Sequence, residues 1–246
     1  MLKINNLTKY FDGQLILDNI SFSIKENEIV AMVGANGCGK TTLLKIIAGL
    51  ENKNQGEIVL KNTNQKIKTG LVFQNYRDSL LPWKTIAQNI DFCLSLTTKN
   101  SLERRHKLNK LLKQSQLHDH RHKYPYELSG GMAQLAVFTK TIALKPALFL
   151  FDEPFSALDY NSSLKLQKQF LDLWEKNKTT TLFVTHDIDE TIFLADKIII
   201  LSNSPTKIIA TIENDLPRPR SFSHLGSEQT HKLKQEILLH TTGFLV

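Results

Sequence analysis

Gly34-Ala35-Asn36-Gly37-Cys38-Gly39-Lys40-Thr41-Thr42 follows the apolar run Ile29-Val30-Ala31-Met32-Val33 and precedes Leu43-Leu44-Lys45-Ile46-Ile47-Ala48. The first run reads as a buried strand, the middle as G-x-x-x-x-G-K-T and the last as a helix, which is the strand–loop–helix context of a phosphate-binding loop. Glycines let the backbone curl so that several N–H groups converge on one anion. The helix N-terminus behind them adds partial positive charge. On this reading Gly34, Asn36, Gly37, Cys38, Gly39, Lys40, Thr41 and Thr42 cradle the phosphates of a nucleoside triphosphate. Lys40 reaches the β- and γ-phosphates, and the Thr41 hydroxyl is a ligand for Mg²⁺.

The surrounding composition is that of an ordinary folded chain. It has 246 residues, 41% hydrophobic and 22% charged, enough for one large domain. A formal charge of +7 can favour nucleic acid or an anionic membrane surface, but here it is scattered lysines with no long basic block, which reads as solvated faces. Cys38 and Cys93 are too few for a disulfide framework, which fits a reducing cytosol. Met1-Leu2-Lys3-Ile4 opens without a secretion-signal pattern. No apolar stretch reaches the roughly 20 residues that span a bilayer.

Strands are expected up to residue 33, with turns at Asp12-Gly13 and 25–28, and again at 57–60, 69–73, 147–151, 180–184, 197–201 and 208–212. Helices are expected over 42–48, stopped by Gly49; over 131–144, ended at Lys145-Pro146; over 161–176; and over about 227–240. The stretch 76–128 reads as mostly polar and helical, with Leu102, Leu108, Leu111 and Leu112 on one face. Strands alternating with helices predict an α/β fold around a mainly parallel sheet. His118, His120 and His122 alternate with Asp119 and Arg121; without a matching ligand set they read as a solvated helix end rather than a metal site.

A second strand end carries chemistry. Leu148-Phe149-Leu150-Phe151 runs into Asp152-Glu153, a Walker B pattern. A carboxylate at the C-terminal end of a parallel strand lies in the crevice beside the phosphate loop. Asp152 can hold Mg²⁺ there, and Glu153 can orient or deprotonate an attacking water.

Between the two lies Leu128-Ser129-Gly130-Gly131-Met132, and here the chain resembles the ATP-binding cassette (ABC) ATPases. Gln74, after Leu71-Val72-Phe73, is similar to the Q-loop glutamine, Ser156-Ala157-Leu158-Asp159 to the D-loop, and His186 to the switch histidine. Phe11, 29 positions before Lys40, resembles the aromatic that stacks on adenine, with Tyr10 as the alternative. The resemblance covers essentially the whole chain. It implies a P-loop NTPase core over residues 1–246 with an antiparallel β subdomain, a helical subdomain at about 76–135 and a C-terminal extension at about 214–246.

It also implies roles. ATP and Mg²⁺ would be the cofactors, with Thr41, Gln74 and Asp152 around the metal, and Lys40, Gln74, Glu153 and His186 catalytic. Ser129, Gly130, Gly131 and Asp159 would meet the nucleotide of a second copy, giving a head-to-tail dimer that closes on ATP. Leu80-Leu81-Pro82-Trp83-Lys84-Thr85, Asn89-Ile90 and Leu216-Pro217-Arg218-Pro219-Arg220 resemble the nitrate/sulfonate/taurine branch of importers. That branch implies a peripheral subunit on the cytoplasmic face of the inner membrane, a permease contacted through Pro82 and Trp83, and a periplasmic or surface solute-binding protein acting indirectly. Its cargoes are small solutes of the sulfonate, taurine, nitrate or thiamine-precursor type. Two features pull elsewhere. Ala133 and Leu135 replace arginines usual after the signature, and Thr139-Lys140-Thr141 stands for Ala-Arg-Ala, which raises a regulatory subunit as the alternative. A soluble cassette without a transport role is the other.

Overall fold

The computed structural model describes residues 2–61, 68–156 and 158–241. In chain order the elements are β1 (Leu2–Phe11), β2 (Gln14–Ile24), β3 (Ile29–Val33), α1 (Lys40–Ala48), β4 (Gln55–Leu60), β5 (Thr69–Val72), α2 (Ile86–Thr97), α3 (Ser101–Gln114), α4 (Gly130–Ala143), β6 (Leu148–Asp152), α5 (Tyr160–Asn177), β7 (Thr180–Thr185), α6 (Ile188–Leu194), β8 (Lys197–Leu201), β9 (Ile208–Glu213) and α7 (Glu228–Thr241). They fall into two units: the described residues of 1–63, 148–153 and 180–246, and those of 64–147 and 154–179.

The first unit is built on strands buried along their whole length. β3, β6, β7 and β8 have no exposed residue, which is why each carries at least three consecutive apolar residues. They lie in the order β6-β7-β3-β8-β9, the first four parallel and β9 antiparallel to β8. In register, Val33 stands opposite Thr185 and Asp152 opposite Val184. Three strands therefore end level, and the chain after each leaves from the same edge. A second sheet, β2-β1-β4, is antiparallel. Helix α1 starts at Gly39 (φ 105°) and stops at Gly49 (φ 77°), both left-handed positions that glycine adopts without strain.

The second unit packs α2, α3, α4 and α5. Phe138 of α4 and Phe170 of α5 meet edge-on at 5.3 Å, and Phe155 closes the cluster at 5.9 and 6.3 Å. Of the expected leucine face of α3, Leu108, Leu111 and Leu112 are buried, but Leu102 is exposed, because it lies in the first turn of the helix, beside the Asn100 cap. Ala133 and Leu135 are buried. The residues that replace arginine are core residues of α4, not a surface stripped of charge. Lys140, in the last turn of α4, donates to the Ser79 carbonyl.

The C-terminal stretch is clamped to the first unit by arginine. Arg220, 2% exposed, donates to the carbonyls of Ala195 (2.6 Å) and Phe193 (3.3 Å) and to Asp196 Oδ1 (3.3 Å). Burial pushes its pKa down to about 10. Arg218 takes the same carboxylate at 2.7 Å and the Leu194 carbonyl at 2.8 Å. Asp196 Oδ2 accepts the Ile29 N–H at 2.9 Å, tying the clamp to the start of β3. Phe222 stacks on Phe193 at 4.7 Å. Removing Arg220 takes a buried donor from the Phe193 and Ala195 carbonyls and leaves Asp196 to Arg218, so Arg220→Ala should cost about 2 kcal/mol. In a thermal melt its Tm should fall clearly further than that of Arg218→Ala, whose side chain is more exposed; equal shifts would contradict the clamp.

Candidate active site

The loop after β3 holds Lys40 in place before any ligand is considered. The Lys40 ammonium donates to the carbonyls of Gly34 at 2.8 Å and Ala35 at 2.9 Å, and the residue is 5% exposed. An ammonium has three donors, so one N–H remains for an anion. The loop cannot relax around this arrangement. Gly39 is left-handed, and a Cβ there would lie 3.1 Å from Leu17 Cδ2 and 3.2 Å from Thr206 Oγ1. A Cβ on Gly34 would lie 3.0 Å from Cys38 Sγ. Gly37 is also left-handed, and it is exposed together with Asn36 and Thr41, while Thr42 is half-buried. Cys38 differs from its neighbours. Its side chain is buried at 2%, burial pushes the thiol up, and only its backbone can face a phosphate.

The loop after β6 adds two carboxylates. The Thr41 hydroxyl hydrogen-bonds Asp152, so the end of β6 meets the first turn of α1. Burial raises the Asp152 pKa, the Thr41 bond opposes this, and the charge of Glu153 adds to the rise. Glu153 has φ 47°, a left-handed conformation uncommon for a side chain of its size, and its N–H donates to the Val184 carbonyl at 3.0 Å. That bond fixes it against the end of β7. From there His186 places Nδ1 3.4 Å from Glu153 Oε1. Lys40, Thr41, Asp152, Glu153 and His186 thus stand in one unit at the ends of three neighbouring strands. A hydroxyl and carboxylates beside a lysine and a helix N-terminus suit a divalent cation with hard oxygen preference and a polyphosphate. Thr41 and Asp152, already hydrogen-bonded to each other, fit Mg²⁺.

Phe11 belongs to the same unit. Its ring is 40% exposed, and the Lys9 ammonium sits 4.3 Å from its centroid. Lys9 is held in turn by Glu51 at 2.8 Å and the Asn52 carbonyl at 2.7 Å. One face of the ring is backed by a cation, and Tyr10 is exposed beside it at 39%.

The remaining expected residues lie in the second unit. Gln74 is exposed, and its carbonyl accepts the Tyr76 N–H at 3.0 Å. Ser129 caps α4, accepting the Met132 N–H at 3.4 Å. A Cβ on Gly130 would lie 3.1 Å from both Leu158 Cδ2 and the Tyr76 hydroxyl, whereas at Gly131 the nearest atom would be 3.9 Å away. Asp159 caps α5, accepting the Ser162 N–H at 3.0 Å, so its carboxylate is engaged within its own helix. Ala157 lies outside the described residues.

The 79–84 loop is organised by one buried amide, that of Asn89. Asn89, 1% exposed, accepts the Leu81 N–H at 2.8 Å and donates Nδ2 to the carbonyls of Leu81, Lys84 and Thr85 at 3.0–3.1 Å. Thr85 and Gln88 form a capping box at the start of α2. The loop so fixed presents Trp83 at 70% exposure.

Residues 17–156 match the family model described as ABC transporter. An aliphatic sulfonates import ATP-binding protein of Bacillus cereus is 41% identical over 244 residues, spanning 96% of this chain and 94% of the relative. An uncharacterized ABC transporter ATP-binding protein of Methanocaldococcus jannaschii is 39% identical over 249 residues, spanning 96% and 92%. Among solved structures, the CbiO1 protein of Clostridium perfringens, part of an ABC transporter complex, has the same fold: TM-score 0.80 at 21% identity over 98% of this chain and 93% of that one. The ATP-binding cassette MJ0796, a dimer in a post-hydrolysis state with ADP and Pi, gives TM-score 0.71 at 29% identity over 90% and 100%. No described helix is long and apolar enough to cross a membrane. This chain belongs to the ABC transporter family, as one of its ATP-binding subunits.

Proposed function

We propose that the chain is the ATP-hydrolysing subunit of an importer, a peripheral subunit on the cytoplasmic face of the membrane that drives a permease for a small anionic solute. The observation that carries the ATP-hydrolysing part is the grouping of Lys40, Thr41, Asp152, Glu153 and His186 at level strand ends, and the importer part is supported by the sulfonate import ATP-binding protein among the relatives. Lys40 and the loop N–H groups bind the β- and γ-phosphates. Phe11 stacks on the adenine, its far face backed by Lys9. Thr41 and Asp152 would hold Mg²⁺, which would neutralise charge on the phosphates, and the family resemblance gives Gln74 as a further ligand. Glu153 orients the attacking water and takes its proton, and His186 reaches the γ-phosphate beside it. Ser129, Gly130, Gly131 and Asp159 act on the nucleotide of a second copy. A sulfonate-class cargo is supported by the sulfonate importers among the relatives, and the cargo is captured by a separate binding protein. Pro82 and Trp83 dock the permease, since an exposed tryptophan on a rigid loop is a good interface anchor.

Two outcomes follow. Glu153→Gln keeps the site's shape but removes its base, so with ATP and Mg²⁺ it should elute as a dimer while wild type returns to monomer after turnover. A monomeric Glu153→Gln by light scattering would contradict the closure. Trp83→Ala truncates an exposed side chain and should leave Tm within about a degree or two. Yet it should lose the multi-span permease that wild type retains from detergent-solubilised membranes. Retention of that permease by Trp83→Ala would remove this loop from the interface.

A further inference from the structure

The turn that carries His186 is knitted by a buried carboxyl that the proposed chemistry does not use. Thr185, the last residue of β7, donates its hydroxyl to Glu190 Oε2 at 2.7 Å and accepts the Asp187 N–H at 3.0 Å. Asp187 Oδ1 then accepts the N–H groups of Asp189 at 2.7 Å and Glu190 at 3.1 Å, and the Asp187 carbonyl takes the Thr191 hydroxyl at 2.8 Å. His186 sits between Thr185 and Asp187, so both of its chain neighbours are tied to this net. Its own ring is half-exposed. Glu190 is 6% exposed, at the inner side of the net.

We infer that Glu190 is the positioning residue of the His186 turn: through Thr185 its carboxyl fixes how the chain enters His186, and so where the imidazole stands beside Glu153. This rests on the reading of His186 given above. Burial favours the neutral form of this carboxyl. Burial, the largest cause, pushes the Glu190 carboxyl up to about 8; the Thr185 bond opposes this, and the charges of Asp187 and Glu153 add to it. The other ionisable groups on elements packed against α6 are Glu228, His231, Lys232, Lys234, Glu236 and His240 of α7, His224 in the turn before it, and Arg218 and Arg220 of the clamp. Lys234 is engaged with Asp189 at 2.7 Å, the arginines meet the Leu194 and Phe193 carbonyls, and β3 and β7 contribute no ionisable side chain. A proton on Glu190 keeps its carboxyl neutral within the net. Its loss leaves the Thr185 bond in place, because a carboxylate accepts it, but puts a desolvated negative charge beside Asp187 and Glu153, and that charge strains the turn.

Linkage sets the sign. The folded value lies above the ordinary 4.5, so the stabilisation is whole below 4.5 and is lost as pH rises to about 8. The test uses the purified chain with ATP and Mg²⁺, as wild type, Glu190→Gln, Glu190→Ala and His186→Ala, read by kcat and KM against pH and by NMR of the His186 ring. Wild-type kcat should fall along an alkaline limb with its midpoint at about 8, tracked by the His186 resonances. Glu190→Gln, which keeps the bond without a titrating group, should lack the limb in both readouts. Glu190→Ala should lower kcat on the order of 100-fold with little change in KM, as expected of a displaced group. An unchanged limb in Glu190→Gln, or unshifted His186 resonances in both Glu190 variants, would overturn the inference and leave the ATPase reading standing. Full activity in His186→Ala would overturn the role given to His186 and, with it, this inference, while the ATPase reading would stand.

Discussion

The parallel register of three strands is the constraint on which the site depends. Val33 of β3 is level with Thr185 of β7, and Asp152 of β6 with Val184. A parallel sheet holds its strands in register through evenly spaced hydrogen bonds, and here every side chain on the three strands is buried. A slip of one residue would exchange the two faces of each strand, and each face is packed against different neighbours. The register is therefore strongly specified, and with it the starting points of the phosphate loop, the Asp152-Glu153 pair and His186. The Glu153 N–H to Val184 carbonyl bond extends the ladder one residue beyond β6 and orients the carboxylate that follows.

Charge explains why the loops stay where the strands put them. Carboxylates crowd this edge, in Asp152, Glu153, Asp187 and Glu190, and Asp152 and Glu190 have raised pKa values because burial disfavours their charged form. Against them stand the Lys40 ammonium and the N-terminus of α1. The arrangement is unfavourable for an isolated anion and favourable for a polyphosphate that brings a divalent cation, because the cation lies against carboxylates while the phosphates lie against lysine and backbone N–H groups. Rigidity serves the same end. Lys40 is already turned into the loop by two carbonyls, so little order is lost when a phosphate takes the third donor.

The parts of this chain that were legible in the sequence are those with local causes. The apolar runs became buried strands, Gly49 ended α1, and the G-x-x-x-x-G-K-T stretch took the conformation its glycines require. The parts that were not legible have non-local causes. Helix α6 has only seven residues and depends on the Asp187 cap and on packing to β3 and α7, so no periodicity announces it. Leu102 shares the spacing of its helix face but not its burial. Cys38 sits inside a phosphate-binding motif, yet its thiol is buried in the core. Leu216-Pro217-Arg218-Pro219-Arg220 looks like a family signature, and its arginines turn out to clamp α6 and Asp196 from within. Asn89 is an ordinary helix residue by position and becomes specific only when the partners around its one amide are seen together.

These causes give the chain a consistent design. Strand register sets the edge, glycine conformation and lysine bonding set the phosphate loop, and buried polar nets set the two loops that would act on the γ-phosphate. The claim common to all of them is that this edge hydrolyses ATP, and does so between two copies. The most direct test is release of inorganic phosphate from ATP and Mg²⁺ by the purified chain, measured per subunit as protein concentration is raised, for wild type and Lys40→Ala. The account predicts release that needs Mg²⁺, rises per subunit with concentration and is lost in Lys40→Ala. Release that is equal in Lys40→Ala, or absent at every concentration, would contradict it.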